Sequence, residues 1–436
     1  MHVRKCHVRV VSLIGCASLA LGALAATPAQ AKGGDPARQV LADGDGWASA
    51  GTGTTGGADA DADHVYTVTT WAEFKAALAD GGDAPKIIKV VGTLDATDTG
   101  SASGCAAFEA DGYDFDQYLA DYDPATWGYE TPVSGEQEDL RAESADTQGA
   151  AIKAFVPSNT TIVGVGKKAG ITGASLQIKG VDNVIMRNLH VESALDCFPQ
   201  WDPTDGSKGA WNSEYDGVVV YGSTHVWLDH NTFTDGRYPD SAAPSYYGQL
   251  YQQHDGLIDI VRGADLVTVS WNVLGDHDKT MLIGNSDSAT ETDRGKLRVT
   301  LHHNLFQDLG ERAPRVRFGQ VDSYNNHFVA TKGSVYGYTY GIGKESQLVA
   351  EHNAFTLAGH VDPARILKKW KDSPVTAENN FVNGTETDLI AVHNAGVPDE
   401  QLTEGAGWTP ELRTQVDDPA CLPKRVGRGA GAGKLK

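Results

Sequence analysis

Cysteine is scarce in this chain, five in 436 residues, and two of the five fall within the first sixteen positions. The other three, Cys105, Cys197 and Cys421, are an odd number without a CxxC spacing, which excludes a disulfide framework or a structural zinc site as the source of stability. One disulfide among them remains open, with its pairing unreadable. Basic residues are outnumbered 36 to 57, giving a formal net charge of −21, and bulk electrostatics of that sign argue against nucleic acid as a partner. Asn-Gly, the usual signal of a tight hairpin, occurs once, at Asn383-Gly384. Long apolar runs are confined to the start, where Arg4, Lys5 and Arg9 precede an apolar stretch and Ala29, Gln30 and Ala31 follow it. That pattern predicts an export signal over residues 1–31, cut after Ala31, and hence a secreted, extracellular protein. The stretch is short for a membrane span and is interrupted by Gly and Ser. Leu13, Ile14, Gly15 and Cys16 loosely resemble a lipidation box, but apolar sequence continues past the cysteine.

Repetition is what the chain has in quantity. From Thr160 onward one phrase recurs: alternating β-branched or apolar residues, an Asn, one further residue, then an apolar side chain. Seven copies centre on Asn188, Asn231, Asn272, Asn304, Asn326, Asn353 and Asn380, at spacings of 43, 41, 32, 22, 27 and 27 residues. Each copy is a strand-length unit that cannot bury its own apolar positions, and stacked coils would bury them in one continuous core. Asn tolerates the left-handed backbone, and its amide can bond the coils above and below. An antiparallel sandwich would repeat its turn signals every 8 to 12 residues. The reading is therefore all-β, a single-stranded right-handed parallel β-helix with long loops on one face. The Gly, Ala and Asp composition of residues 32–64 predicts a poorly ordered segment before a β-helix domain over 65–436. Trp71, Phe74, Ala77 and Leu78 lie at helical spacing ahead of the strand-like PKIIKVVGTLD, which predicts a helix capping one end of the solenoid. Residues 105–150 read as a long loop or a short helical excursion, and the segment around Trp408 and Pro410 as a wrap back over the barrel.

Four stretches in consecutive coils are polar where the pattern would accept apolar residues: EYDGVVV, QQHDGLIDI, GDHDKTMLIG and GERAPRVRFG. Asp216, Asp255 and Asp259 open successive coils, about 5 Å apart along the axis. Carboxylates at that spacing suit Ca²⁺, which takes six to eight oxygens at about 2.3–2.6 Å. Asp255 and Asp259 would stand about 13 Å apart in an extended strand. A bend is needed, and Gly256 could supply it. Taken singly, each is equally a turn residue. In the following coils lie Lys279, Arg312, Arg315 and Arg317, and an extended R-A-P-R-V-R would set Arg315 and Arg317 on one face, with Pro314 letting Arg312 leave the alternation. Arg reads carboxylates through its planar fork. The bland alternative for these bases, Arg315 above all, is surface ion pairing.

Here the sequence resembles the pectate lyase family over nearly its whole length, and most closely its extracellular bacterial members. The resemblance rests on DCFPQWDPTDG, VWLDH, QQHDGLID, DHDK, LHHN, RAPRVRFGQV and the terminal GAGKL. It implies Ca²⁺ ligands at Asp216, Asp255 and Asp259, a general base at Arg312, and substrate carboxylate contacts at Lys279 and Arg317. Trp227, Asp229 and His230 belong to a family signature and read as structural. The implied activity is β-elimination on polygalacturonate by a monomer. Polygalacturonate is itself an anion, so a bound cation must overrule the global charge at the groove. A β-helical glycosidase would need carboxylates flanking the bond, whereas the one adjacent Asp pair, Asp417-Asp418, falls beyond the repeats. Pectin lyase on methylated substrate, resembling this chain without the acid trio, and a non-catalytic β-helical carbohydrate-binding protein are the remaining alternatives.

Overall fold

The computed structural model describes residues 35–98 and 104–435. The expected export signal over 1–31 lies outside them. Residues from Lys86 onward wind into coils that stack in parallel register on three faces. One face is an eight-stranded ladder from Lys153–Phe155 through Ser175–Lys179, Val218–Tyr221, Ile258–Val261, Leu282–Ile283, Arg315–Val316 and Tyr340–Ile342 to Leu367–Lys369. The other two faces run as parallel ladders, one through Thr224–Asp229, Asp265–Ser270 and Val299–His302, the other through Thr232–Thr234, Val273–Lys279 and Leu305–Glu311. The long strands Lys86–Asp95 and Thr160–Thr172 bend from one of these faces to the other and join them into a single 18-stranded sheet. The chain is thus a parallel β-helix, with the right-handed crossover that twisted parallel strands require. Its interior is one apolar column from Ile88 to Leu389.

The Asn phrases mark the corner between the two joined faces. Asn231, Asn272, Asn304, Asn326, Asn353 and Asn380 are fully buried, and each rung receives the next rung's amide oxygen on its backbone N–H at 2.8–3.0 Å. Each side-chain amide of the first five also reaches that same oxygen at 3.0–3.2 Å. The left-handed position is the residue before the rung, as in His230, Trp271 and His303. Asn188 is the exception to the expected stack. It occupies the left-handed position itself, and Leu189 takes the rung place, donating its N–H to Asn231 Oδ1.

The helix Trp71–Ala79 caps the open end of the column and buries Trp71, Phe74, Ala77 and Leu78, the four residues its spacing singled out. Thr70 and Glu73 close its N-terminus as a reciprocal capping box. At its other end the buried Lys86 ammonium donates to the carbonyls of Leu78 and Asp80, satisfying groups a helix terminus leaves open.

Two expectations are corrected. Residues 32–64 were expected to be poorly ordered, yet from Asp35 onward they lie along the outside of the solenoid. There Ala37 and Ala60 pack on Ile87 and Val163, and Leu41 and Ala48 on Ile185 and Trp227. Their glycines are demanded by contact: a Cβ on Gly57 would stand 1.9 Å from the Lys86 carbonyl oxygen. The folded domain therefore begins well before residue 65. The acidic stretch 105–150 is largely helical, with a 17-residue helix, Glu136–Ile152. Its face is held by the buried pair Arg141–Glu138 at 2.8 Å. Cys105 and Cys197 form a disulfide that ties this excursion to the coils. At the far terminus, Leu422 and Val426 of the helix Leu422–Gly429 pack on Ala354 and Leu305.

Candidate active site

The eight-stranded face carries the polar residues. Its register places Val219 beside Asp259, Leu282 beside Arg315, and Gly341 beside Arg315 and Lys368, so successive coils set side chains at steps of about 4.8 Å along this face. Asp216 sits just ahead of Val218–Tyr221, and Asp255 just ahead of Ile258–Val261, in an irregular stretch rather than an extended strand. The bend between Asp255 and Asp259 falls at Leu257, so the fully extended separation does not apply. The Gly256 N–H donates to Asp216 Oδ1 at 2.9 Å, and the Leu282 N–H donates to Asp259 Oδ1 at 2.9 Å. A Cβ on Gly256 would lie 2.6 Å from Asp259 Oδ1 and 2.8 Å from Asp216 Oδ1. Glycine therefore keeps open a cradle between two carboxylates that face each other.

Burial pushes the carboxyl of Asp216 well above its ordinary range, and repulsion from Asp259 and Asp255 pushes it further. Asp259 is raised for the same reasons, burial first and Asp255 next, against the opposing pull of the Leu282 N–H, Arg312 and His277. Asp216 and Asp259, both raised by burial and by the charge of neighbouring Asp255, form an electrostatic deficit that a cation relieves.

The cations sit beside them, each already holding a carboxylate of the protein. Lys279 Nζ lies 3.3 Å from Asp255 Oδ1. Arg312, in the left-handed conformation at the turn after Leu305–Glu311, places Nε 2.8 Å from Glu311 Oε1. Burial favours its neutral form, but Glu311, Tyr338 and Asp259 outweigh that and hold the guanidinium above its usual range. Arg317 places Nε 2.7 Å from Asp287 Oδ1 and donates from a terminal nitrogen to the Gly284 carbonyl at 2.8 Å. Arg315, for which surface ion pairing was the bland reading, instead lies with its guanidinium 4.0 Å from the Trp370 ring centroid. Asp216, Asp255, Asp259, Lys279 and Arg312 thus form one cluster, with Arg317 at its edge on the side of Arg315. Glu311 and Asp287 were not singled out from the sequence; nothing in the linear order pairs Asp287 with Arg317, and only coil stacking does. Trp227, Asp229 and His230 lie away from the cluster. Asp229 is buried between Arg187 at 2.5 Å and His230 at 2.8 Å, while Trp227 donates to Ser270 Oγ at 2.9 Å, a structural network.

Acids and bases ranged along one outer sheet of a parallel β-helix mark a solenoid with a charged candidate site on that face. The family model described as pectate lyase matches residues 35–111 and 133–397. The chain is 43% identical over 419 residues to a pectate lyase of Bacillus subtilis, covering 94% of this chain and 97% of that one. A pectate lyase E of Dickeya chrysanthemi is 39% identical over 353 residues, covering 79% of this chain and 76% of that one. Among solved structures, a thermostable pectate lyase, PL 47, superposes with a TM-score of 0.88 at 42% identity over 92% of this chain and all of that one. A pectate lyase bound to hexasaccharide superposes with a TM-score of 0.87 at 41% identity, over the same shares. The chain belongs to the pectate lyase family, and it is a polysaccharide lyase.

Proposed function

We propose that the protein is a secreted, calcium-assisted pectate lyase. It acts as a single chain to cleave α-1,4-linked polygalacturonate by β-elimination, leaving 4,5-unsaturated oligogalacturonates. The observation that carries this reading is the cradle at Gly256, where two half-buried carboxylates of raised proton affinity face each other with Asp255 beside them. The donor set is all oxygen, as calcium requires, so Asp216, Asp255 and Asp259 fit as its ligands. When bound there, calcium offsets the repulsion of the trio and withdraws charge from a substrate carboxylate, making the neighbouring C5 proton easier to remove.

The chain's own residues supply the rest. Lys279 and Arg317 hold uronate carboxylates, with Asp255 and Asp287 keeping their charged groups in place until substrate arrives. Arg312 takes the C5 proton; the C–H pair becomes the C4–C5 double bond, the C4–O bond breaks, and the departing oxygen is protonated from solvent, so no water is consumed overall. Because Glu311 and Asp259 raise the proton affinity of Arg312, its neutral form grows as pH rises, and the reaction should run best under alkaline conditions. Secretion is supported by the leader composition of residues 1–31, and among the described residues no helix is long and apolar enough to cross a membrane.

The test is ultraviolet absorbance of the unsaturated product on unmethylated polygalacturonate. Activity should vanish in EDTA, return with calcium, and be lost in Arg312→Ala while calcium binding persists. New reducing ends without absorbance would identify a hydrolase, and activity confined to methylated pectin and indifferent to EDTA would identify a pectin lyase.

A further inference from the structure

Directly behind the acid trio, Asp235 and His277 form a polar pair, with His254 and Asp240 close by, at the edge of the apolar column. The ladder stacks Leu309 on His277, so the next coil fills with leucine the place His277 takes. The side chains of His277 and Asp235 have no solvent exposure at all. His277 Nδ1 lies 2.5 Å from Asp235 Oδ1, and Nε2 lies 2.7 Å from the backbone carbonyl of Asp255. A carbonyl only accepts, so Nε2 carries a proton, and the carboxylate facing Nδ1 holds a second one in that bond. Burying a charged pair is costly, Asp235 Oδ2 has no hydrogen-bond partner, and one of the pair's bonds ends on the residue that carries a site carboxylate.

That bond matters because Asp255 lies outside the strand ladders. The stretch before Ile258–Val261 is held by isolated backbone bonds, the Asp196 N–H to the Gln253 carbonyl at 2.8 Å and the Gly217 N–H to the Gly256 carbonyl at 2.9 Å, and by side chains. His254 bridges the Ala194 carbonyl at 3.0 Å and the Tyr238 carbonyl at 2.7 Å, Gln253 donates to the Asp196 carbonyl at 3.0 Å, and Asp216 takes the Gly256 N–H at 2.9 Å. On Asp255 itself, His277 holds the backbone carbonyl and Lys279 Nζ lies 3.3 Å from the carboxylate. One atom each of Asp235, Asp240 and His277 lie within 4.8 Å of one another, the spacing of a metal trio. Both ring nitrogens of His277 already face acceptors, however, so the imidazole has no lone pair to offer an ion.

We propose that His277, oriented by Asp235, is a positioning residue for the cation site. By gripping the Asp255 carbonyl it fixes where the Asp255 carboxylate points, and so sets the calcium concentration the enzyme requires. This rests on the reading of Asp216, Asp255 and Asp259 as calcium ligands. Outer partners of metal ligands typically contribute about 10- to 100-fold in metal affinity.

The experiment compares intact parent protein with Asp235→Asn, His277→Gln and, as a reference, Asp259→Asn. It measures half-activating calcium, kcat at saturating calcium, and calcium affinity by calorimetry without substrate. Asp235→Asn keeps the shape and the acceptor but not the charge that holds both protons on the ring; His277→Gln serves if that variant does not fold. The expected result is a rise of about 10- to 100-fold in half-activating calcium, with kcat at saturation within about twofold of the parent. A purely structural role would instead lower turnover at every calcium concentration. Half-activating calcium within about twofold of the parent in both folded variants, or a kcat loss that calcium does not restore, overturns the proposal. If those two are unchanged while Asp259→Asn loses calcium, positioning alone fails. If Asp259→Asn also binds calcium normally, the calcium reading falls and this inference with it.

Discussion

Removing one acid from the trio should stabilise the protein without calcium and destabilise it, relative to the parent, with calcium. Asp216→Asn isolates the effect, because the amide oxygen keeps the bond from the Gly256 N–H while the charge disappears. Asp216 and Asp259 each bring an oxygen within 2.8 Å of one point, so they stand no more than about 5 Å apart, and at an effective dielectric of about 20 two charges at that distance repel by about 3 kcal/mol. Sharing a proton relieves part of this, leaving about 1–3 kcal/mol under alkaline conditions, or about 1–4 °C in melting temperature for a chain of this size. The sign follows from linkage. Asp216 and Asp259 bind protons more tightly folded than unfolded. The metal-free parent should therefore lose stability as pH rises from the ordinary carboxylate range through the raised one, and Asp216→Asn should flatten that slope. Calcium at a thousandfold excess over its Kd would add about 4 kcal/mol to the parent, and little to the variant. Scanning calorimetry in EDTA and in calcium should thus give opposite stability orders for the two proteins. A variant that melts below the parent in EDTA refutes the claim that the trio is held together against its own repulsion.

Three further outcomes follow from the same geometry. Glu311→Gln removes a carboxylate 2.8 Å from Arg312; the alkaline-rising limb of kcat/KM should move to lower pH by about 0.3–0.7 units, the equivalent of about 0.5–1 kcal/mol, and an upward move contradicts the role of Arg312 as base. Gly256→Ala sets a methyl between Asp216 and Asp259 and should raise half-activating calcium about tenfold or more, with unchanged affinity in a calcium titration counting against the cradle. Asn304→Ala strips partners from the buried Asn272 N–H and Val269 carbonyl, and should cost about 2–5 kcal/mol in denaturant unfolding, against less than 1 kcal/mol if the ladder is incidental.

How much of this was legible in the linear order depended on whether each feature repeats. Six of the seven Asn phrases proved to be ladder rungs because stacking demands the same residue at the same corner of each coil. Asn188 differs because at the first corner Leu189 takes the rung place and donates its N–H to Asn231 Oδ1. The capping helix was readable from four apolar residues at helical spacing. The Gly-rich residues after Asp35 misled, since composition does not distinguish glycine that frees the chain from glycine that lets two backbones touch, as Gly57 does on Lys86. The length of the helix Glu136–Ile152 was hidden by its acids, because its buried face is polar, carrying Glu138, Arg141, Ser144 and Gln148. The acids and bases of the groove were visible as polar interruptions of an apolar pattern. Their roles came from family resemblance; Glu311 stands next to Arg312 in the chain, whereas the pairing of Asp287 with Arg317 and of Asp235 with His277 emerges only when coils stack.

The most direct test is a crystal structure of Arg312→Ala loaded with calcium and an oligogalacturonate. The expected result is a cation bound jointly by Asp216, Asp255 and Asp259, with the space vacated by the arginine opening onto C5 of a bound sugar. A cation bound elsewhere, or the three carboxylates turned to separate places, contradicts the account.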